Sequence, residues 1–231
     1  MSVKYFVFGL LVALVLVISY AQVQAAPTGA TTTAGTQERW TGTSVSSVTT
    51  EGGNVTEVNV SGYSVTDKWA GFYGQISGGL RLADSSGTVF YEWSVSNVSG
   101  SVVYACNGTV SDWSNSNILP LNVSHTNLLP SFLLTGTDSF NYTFTNQETF
   151  TSASLSVANT NYTTTWQGGS KGSDFKTYAL RSVADTALIW AAKAKENVNS
   201  FKAGVTVDYQ LLAGVMSLSG NTQYYFYLEL P

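Results

Sequence analysis

The sequence predicts an all-β fold, a β-sandwich or jelly roll preceded by an extended N-terminal arm. Short runs in which apolar and polar residues alternate recur along most of the chain, and turn residues separate them. Helix signals are nearly absent. Hydrophobic residues make up 44% of the chain and aromatic residues 13%, which is enough to fill a core between two sheets. Charged residues make up only 10%, against about 25% in typical soluble proteins.

Residues 1–25 are typical of a secretory signal peptide. A single positive residue precedes an uncharged apolar run over residues 5–20, and Val23 and Ala25 supply small side chains before a cleavage site at Ala26. We therefore expect a secreted protein of the cell surface that is not inserted in the membrane after cleavage. Two alternatives stay open. One is a pilin-like leader cut before the apolar run. The other is a retained anchor, although the run is shorter than the roughly 20 residues that a spanning helix needs.

Residues 26–50 form a Thr/Ser/Gly-rich arm that cannot bury a core of its own. Its sizeable apolar residues are Trp40, Val45 and Val48, which we predict to be assembly anchors if the arm acts as a donor strand. A flexible linker is the alternative. Val45 and Val48 are three residues apart, so they cannot share one face of a regular strand. Residues 51–231 are predicted to form a single β-sandwich domain.

Two hairpins are predicted in the first half of that domain. Residues 80–82 and 89–95 alternate in polarity on either side of the turn at residues 84–87. Asn107 and Gly108 lie between two apolar runs, and this dipeptide favours a tight hairpin because both residues tolerate positive φ.

Further strands are predicted in the second half of the chain. Residues 140–144, 205–211 and 224–230 alternate apolar and polar side chains. Residues 186–198 are ambiguous, because alanine and lysine favour a helix whereas an apolar run also suits a buried strand. We prefer the strand.

Seven Asn-x-Ser/Thr acceptors for N-linked glycans are present in the chain. In all but one the middle residue is apolar, so on a strand the Asn and the Ser/Thr would share the solvent face while the middle residue points inward. Asn54 does not fit this alternation and is placed in a loop. The alternative is polar strand chemistry without any sugar. The predicted glycosylation sites are Asn54, Asn59, Asn97, Asn107, Asn122, Asn141 and Asn161.

No constellation for catalysis or metal binding is recognisable, so we predict a noncatalytic protein without a cofactor or metal. His125 is the only histidine and Cys106 the only cysteine, too few for a zinc site. We expect Cys106 to be buried and His125 to lie in a surface loop. The net charge of −4 argues against a nucleic-acid partner. Several carboxylates could still meet as a glycosidase pair; these are Glu57, Asp67, Glu92, Asp112, Asp138 and Glu148.

The six tryptophans and thirteen tyrosines could instead build a platform that stacks on sugars. Trp93 and Trp166 follow the apolar alternation of their strands, so we expect both in the core.

Residues 51–95, from GGNVTEVNVSG to GTVFYEW, and residues 205–230, from VDYQLLAG to TQYYFYLEL, resemble secreted β-rich surface proteins of hyperthermophilic archaea. More distantly, a signal peptide, a flexible arm and a jelly-roll-like domain resemble the plan of archaeal bundling-pilus and thread subunits and of TasA-type fibre proteins. That resemblance implies a polymer in which the arm of one subunit completes the sheet of the next.

The sequence therefore predicts a structural subunit of an extracellular filament or surface layer. Its partners would be copies of itself in a head-to-tail polymer and N-linked glycans. A carbohydrate-binding module or adhesin is the alternative.

Overall fold

The computed structural model describes residues 26–42 and 45–231, so the predicted signal peptide lies outside the described residues. The chain is nearly all β, with 39% strand and 4% helix, and its sheets are antiparallel and sandwich-like, which confirms the predicted fold class. A 3-10 turn spans Ser131–Leu134 and a short helix, α1, spans Phe140–Thr143. The strands are β1 Thr28–Gly29, β2 Trp69–Gly74, β3 Gly79–Ala83, β4 Val89–Ser94, β5 Val102–Cys106, β6 Ile118–Pro120, β7 Asn146–Thr151, β8 Ser156–Gln167, β9 Ser170–Ser182, β10 Leu188–Lys193, β11 Val198–Asn199, β12 Thr206–Val207, β13 Tyr209–Gly214 and β14 Tyr225–Glu229.

The main sheet has the order β1-β14-β5-β10-β9-β8-β7, and β6 adds to it beside β9. The central strands β5 and β10 are buried on both faces, which explains why their sequences are nearly continuous apolar runs rather than alternating ones. The neighbouring strand β9 is buried mainly in its second half. Successive residues of β5 and β10 enter two different core clusters, one on each side of the sheet.

The second layer is built by the two-stranded sheet of β2 and β13, which packs over one face of the main sheet. Trp190 of β10 is the largest fully buried side chain at this interface. Its ring lies edge-on to Trp69 of β2, with the ring centroids 5.7 Å apart. Gly214 of β13 lies in close contact there: a Cβ on it would be 2.8 Å from Leu133 and 3.0 Å from Trp190, so a larger residue would force these side chains to move.

The hairpin of β3 and β4 is confirmed at the place where the alternation predicted it. Asp84 holds the turn, since its carboxylate accepts hydrogen bonds from the backbone N–H groups of Ser86 (2.9 Å) and Thr88 (2.8 Å). Gly87 adopts a φ of +84°, a conformation that side chains disfavour. Every residue of both strands is exposed, so this hairpin stands clear of the two core clusters.

The hairpin predicted around Asn107-Gly108 is wrong, because residues 109–113 form no strand. The strand before the turn pairs with β10 and β14 instead. Asn107 ends this strand by accepting a hydrogen bond on Oδ1 from the N–H of Leu188, at 2.7 Å. The dipeptide therefore joins two distant segments rather than two neighbouring strands.

The strand predicted over residues 140–144 is also wrong, since this segment forms α1. Phe140 and Phe144 are buried and stacked with centroids 5.0 Å apart, whereas Tyr142 is exposed. Two apolar residues four positions apart satisfy a helical turn as well as an alternating strand, so the sequence pattern was ambiguous over so short a run.

Residues 186–198 contain a buried strand, β10, and not a helix, which agrees with the interpretation preferred from the sequence. The alternating C-terminal segment is confirmed as well. Phe226 and Leu228 of β14 pack against one core cluster, while Tyr227 packs against the other.

Candidate assembly site

The edge of the main sheet at β14 is covered by the start of the arm. Thr28 pairs with Leu228 and Gly29 with Tyr227, and the N–H of Ala30 continues the ladder to the carbonyl of Phe226 at 3.0 Å. Only two of the five residues of β14 have a strand partner on this side. The arm therefore supplies a short edge strand to its own chain, and the acceptor edge is longer than the strand that fills it.

The rest of the arm, over its described residues, has no regular secondary structure. Trp40, Val45 and Val48, the predicted anchors, are all exposed, so the structure places none of them in a pocket of this chain. The arm contacts the domain through exposed ion pairs, such as Glu38 with Lys202 at 2.6 Å, which typically contribute less than about 1 kcal/mol. The residues that do pair with the sheet lie further N-terminal, directly after Pro27, which is buried.

The segment after the arm was predicted to begin the sheet, and this is wrong. Residues 54–66 form no strand, and Val58 and Val60, expected to point inward beside Asn59, are exposed. The first strand that contributes to the core is β2. The alternation at residues 55–61 is that of a strand, but within the described chain no neighbouring backbone pairs with it.

Six of the seven acceptor asparagines fall into two groups, and the half-buried Asn122 lies between them. Asn54, Asn59, Asn97 and Asn141 are exposed. Asn97 lies in a turn in which its Oδ1 accepts the N–H of Ser99 at 2.8 Å, and a comparable turn joins half-buried Asn122 to Ser124. An exposed turn of this kind leaves the amide nitrogen of Asn97 accessible for a sugar.

Asn107 and Asn161 form the second group, in which the side chain is part of the fold. The Oδ1 of Asn107 caps β10, and the Nδ2 of Asn161 donates to the carbonyl of Leu121 at 3.2 Å. The predicted alternation around Asn161 is only partly correct: Tyr162 packs against the core, but Thr163 is buried.

We expect glycans at the four exposed acceptors and none at Asn107 or Asn161. Asn97→Gln should leave the free energy of unfolding unchanged within about 0.5 kcal/mol. Asn107→Ala should lower it by about 1–3 kcal/mol, because the buried N–H of Leu188 would lose its acceptor. Glycopeptide mapping of the native protein and denaturant unfolding of both variants check this. A glycan on Asn107 would contradict the assignment.

Trp93 and Trp166 were expected in the core, and both are exposed instead, at 49% and 59%. Trp166 lies near the tip of the β8–β9 hairpin, and Trp93 lies on the isolated β3–β4 hairpin. The face of β4 that carries Trp93 has no layer packed on it, and Trp166 follows a register irregularity in β8 between Thr164 and Trp166. Alternation identifies a face and does not show that a second layer covers it.

The isolated hairpin has two chemically different faces. Direct partners across a ladder share a face, so Leu80 with Trp93 and Leu82 with Tyr91 form one apolar face. The rings of Tyr91 and Trp93 lie 4.7 Å apart at 53°. This is the clearest set of exposed aromatic residues on a single face.

Four of the six candidate carboxylates form ion pairs, in each case with a lysine or arginine. Both carboxylate oxygens of Glu148 accept hydrogen bonds from Nζ of Lys176, at 2.9 and 2.8 Å. The Oε1 atom of Glu148 also accepts a hydrogen bond from the hydroxyl of Tyr178. Burial and then the hydrogen bond to Glu148 raise the pKa of Tyr178 well above its usual range. The other three pairs join Asp67 to Arg39, Glu92 to Arg81 and Asp138 to Lys68.

The only cysteine, Cys106, lies in the core, and the only histidine, His125, lies in a surface turn. Cys106 is fully buried, as predicted, and burial raises the pKa of its thiol strongly. The Nδ1 of His125 lies 3.2 Å from the backbone nitrogen of Asn122 in a surface turn. Across residues 26–42 and 45–231, no group of three or more His, Cys, Asp or Glu side chains is arranged to hold a metal ion. In the same part of the chain, no helix has the length and hydrophobicity to cross a membrane.

Comparisons with family models, with curated proteins and with solved structures found no match to this chain.

Proposed function

We propose that the protein is a noncatalytic structural subunit of an extracellular filament or surface layer, and that copies join by exchanging β1. The supporting observation is that residues directly after the predicted cleavage site complete the edge of the sheet at β14. The same backbone hydrogen bonds form whether β1 comes from the same chain or from a neighbour.

The length of the connection allows this exchange. Residues 31–66 separate β1 from the folded body and, in the residues described, contain no strand or helix. Fully extended, this connection spans roughly 120 Å at about 3.3 Å per residue. Each copy offers one donor and one acceptor on different parts of its surface. A donor passed in one direction from copy to copy makes a head-to-tail contact that propagates as a polymer, whereas a reciprocal exchange between two copies closes as a dimer.

A donor from a neighbour can also pair over a greater length than β1 does within one chain. In the register of β1, Ala30 is opposite Phe226 and Thr31 is opposite Tyr225, where β14 begins. Threonine is β-branched and is well tolerated in strands. A longer ladder in the polymer would favour exchange over the intrachain pairing.

Paired cysteines at the ladder test this proposal. In a variant with Thr28→Cys and Leu228→Cys, assembled material should give a ladder of disulfide-linked multimers on non-reducing gels, whereas dilute monomer should give only an intrachain bridge. The native Cys106 is fully buried and does not compete. The matched control carries Val45→Cys in place of Thr28→Cys and should give no ladder.

Deletion of residues 26–30 should abolish filaments in electron microscopy of the secreted protein. Deletion of residues 46–50, an equal length of exposed arm outside the ladder, should keep them. Filaments that persist without residues 26–30 would refute the exchange of β1. A full-length chain that stays monomeric at every concentration would refute the polymer.

A carbohydrate-binding role is the second candidate, and the exposed ring pair of Tyr91 and Trp93 favours it. The two rings are tilted rather than coplanar, so they would stack on one sugar rather than on a flat polysaccharide. Binding to a panel of polysaccharides that is lost in Trp93→Ala but kept in Trp166→Ala would support this role.

A further inference from the structure

The β3–β4 hairpin is a sheet without a third strand. Its apolar face carries Leu80, Leu82, Tyr91 and Trp93, and the opposite face carries the ion pair of Arg81 with Glu92, in which Nη2 and Oε2 are 2.8 Å apart. The ion pair makes the centre of that face polar, and Phe90 of β4 is exposed as well, to 83%. The other face exposes about half of each of its four large apolar side chains. An isolated two-stranded hairpin is only marginally stable in water, and a third strand with an apolar face adds to its stability.

Neither outer edge of this hairpin is paired. In the described chain, β3 pairs only with β4 and β4 only with β3. Each outer edge therefore presents backbone N–H and C=O groups that can accept another strand.

The same chain carries a segment with the properties of the missing strand. Over residues 55–65, no backbone group forms a hydrogen bond with another described residue. Within this segment, residues 55–61 read VTEVNVS and are rich in β-branched side chains. Thr56, Val58 and Val60 lie on one face of an extended strand, and the other face carries Val55, Glu57, Asn59 and Ser61.

The two surfaces match face by face. With Val58 and Val60 beside the leucines and rings of the hairpin, the apolar face would extend across three strands. Glu57, Asn59 and Ser61 would then share the face of the Arg81–Glu92 pair. The acceptor Asn59 would remain on the solvated face, so a glycan there is compatible with this pairing.

We propose that residues 55–61 of one copy add to the β3–β4 hairpin of a second copy as its third strand. Each chain holds one unpaired strand and one unpaired hairpin, and in the single chain the two do not pair. Pairing between copies would give the unpaired strand a partner and the unpaired hairpin its third strand. This inference depends on the proposed function only in taking a second copy as the partner, since the contact uses neither β1 nor β14.

Cross-linking between two differently labelled copies tests the contact. One copy carries Val60→Cys and the other carries Leu82→Cys or Tyr91→Cys, and a short bismaleimide is added to the mixed full-length proteins. A few hundred Å² of apolar contact is below the size of a typical stable interface, so a covalent trap suits this contact better than an affinity measurement. We expect at least a fivefold excess of cross-linked heterodimer over the control, and the better-reacting hairpin position identifies the edge that is used.

The control copy carries Val45→Cys, which is exposed to 98% compared with 89% for Val60 but lies outside the proposed strand. Equal cross-linking from Val45→Cys and Val60→Cys would overturn the proposal. Cross-links that form within one chain carrying both cysteines, at high dilution, would overturn the assignment to a second copy. If the cross-link forms without polysaccharide and a polysaccharide that binds Trp93 blocks it, the strand contact is supported. If the polysaccharide binds but no cross-link forms in its absence, the strand contact is rejected.

The two assembly contacts can fail independently. Hairpin cross-links without a disulfide ladder at Thr28 and Leu228 would support this inference and reject β1 exchange. A ladder without hairpin cross-links would do the reverse.

Discussion

Replacement of Trp190 by alanine is expected to lower the free energy of unfolding by about 3–5 kcal/mol, the usual cost of removing a buried tryptophan side chain. The indole is fully buried between the two layers, and its ring lies 5.7 Å from Trp69 and 5.3 Å from Phe144, centroid to centroid. Truncation leaves a cavity that these rings cannot fill. For a chain of this size, the melting temperature should fall by roughly 10 °C.

Thermal and denaturant unfolding of the purified protein check this expectation. The matched control is Trp166→Ala, whose side chain is exposed and which should change stability by less than about 0.5 kcal/mol. Trp190→Phe provides a second comparison. Within the described residues the Nε1–H of Trp190 is buried without a hydrogen-bond acceptor, which costs free energy that a phenyl ring would not. Trp190→Phe should therefore destabilise the protein less than Trp190→Ala. Equal losses from Trp190→Ala and Trp166→Ala would show that the layer interface is not where the stability lies.

Replacement of Glu229 by leucine should be the next most damaging change, at about 2–5 kcal/mol. This carboxylate is buried at the end of β14, where Oε2 accepts the hydroxyl of Tyr104 and Oε1 accepts the N–H of Ser154, each at 2.5 Å. Leucine fills the space but leaves both donors buried without an acceptor. The bonds tie together β14, β5 and the turn before β8, so their loss also weakens the strand that carries the candidate acceptor edge.

A double-mutant cycle with Tyr104→Phe separates the two bonds. The double variant should recover part of the loss, because it removes one of the orphaned donors. Burial, followed by the charge of Glu229, raises the pKa of Tyr104. A raised pKa in the folded state means that this contribution is fully present below the unfolded value of about 10 and is lost above it. The wild type should therefore lose stability faster than Tyr104→Phe above about pH 10. Parallel pH profiles would contradict this coupling.

Much of the β architecture was predictable from local patterns, because alternation and turn chemistry act over a few residues. The β3–β4 hairpin is an example, since Asp84 and Gly87 specify the turn and the flanking residues alternate. The central strand β10 was harder to predict, since a strand buried on both faces has no alternation that distinguishes it from a helix. The strand predicted over residues 140–144 was wrong for a related reason, because apolar residues four positions apart fit both a strand and a helical turn.

The candidate assembly site was less predictable than the fold. Trp40, Val45 and Val48 were selected because apolar side chains usually anchor a strand, yet the pairing residues are Thr28 and Gly29. Such pairing uses backbone hydrogen bonds, which carry almost no side-chain signature. The exposure of Trp93 and Trp166 had no sequence signature either, because alternation does not report whether a second layer is present.

Local sequence patterns were sufficient to predict the all-β class, the position of the β3–β4 hairpin and the burial of Cys106. These properties depend on local periodicity and composition, which are read over a few neighbouring residues. Three features became visible only in the folded chain: the edge that the arm covers, the acceptor asparagines that are tied into the fold and the apolar faces that have no partner. Those outcomes depend on contacts between residues far apart in the chain, such as Thr28 with Leu228 and Asn107 with Leu188, and no local pattern encodes them.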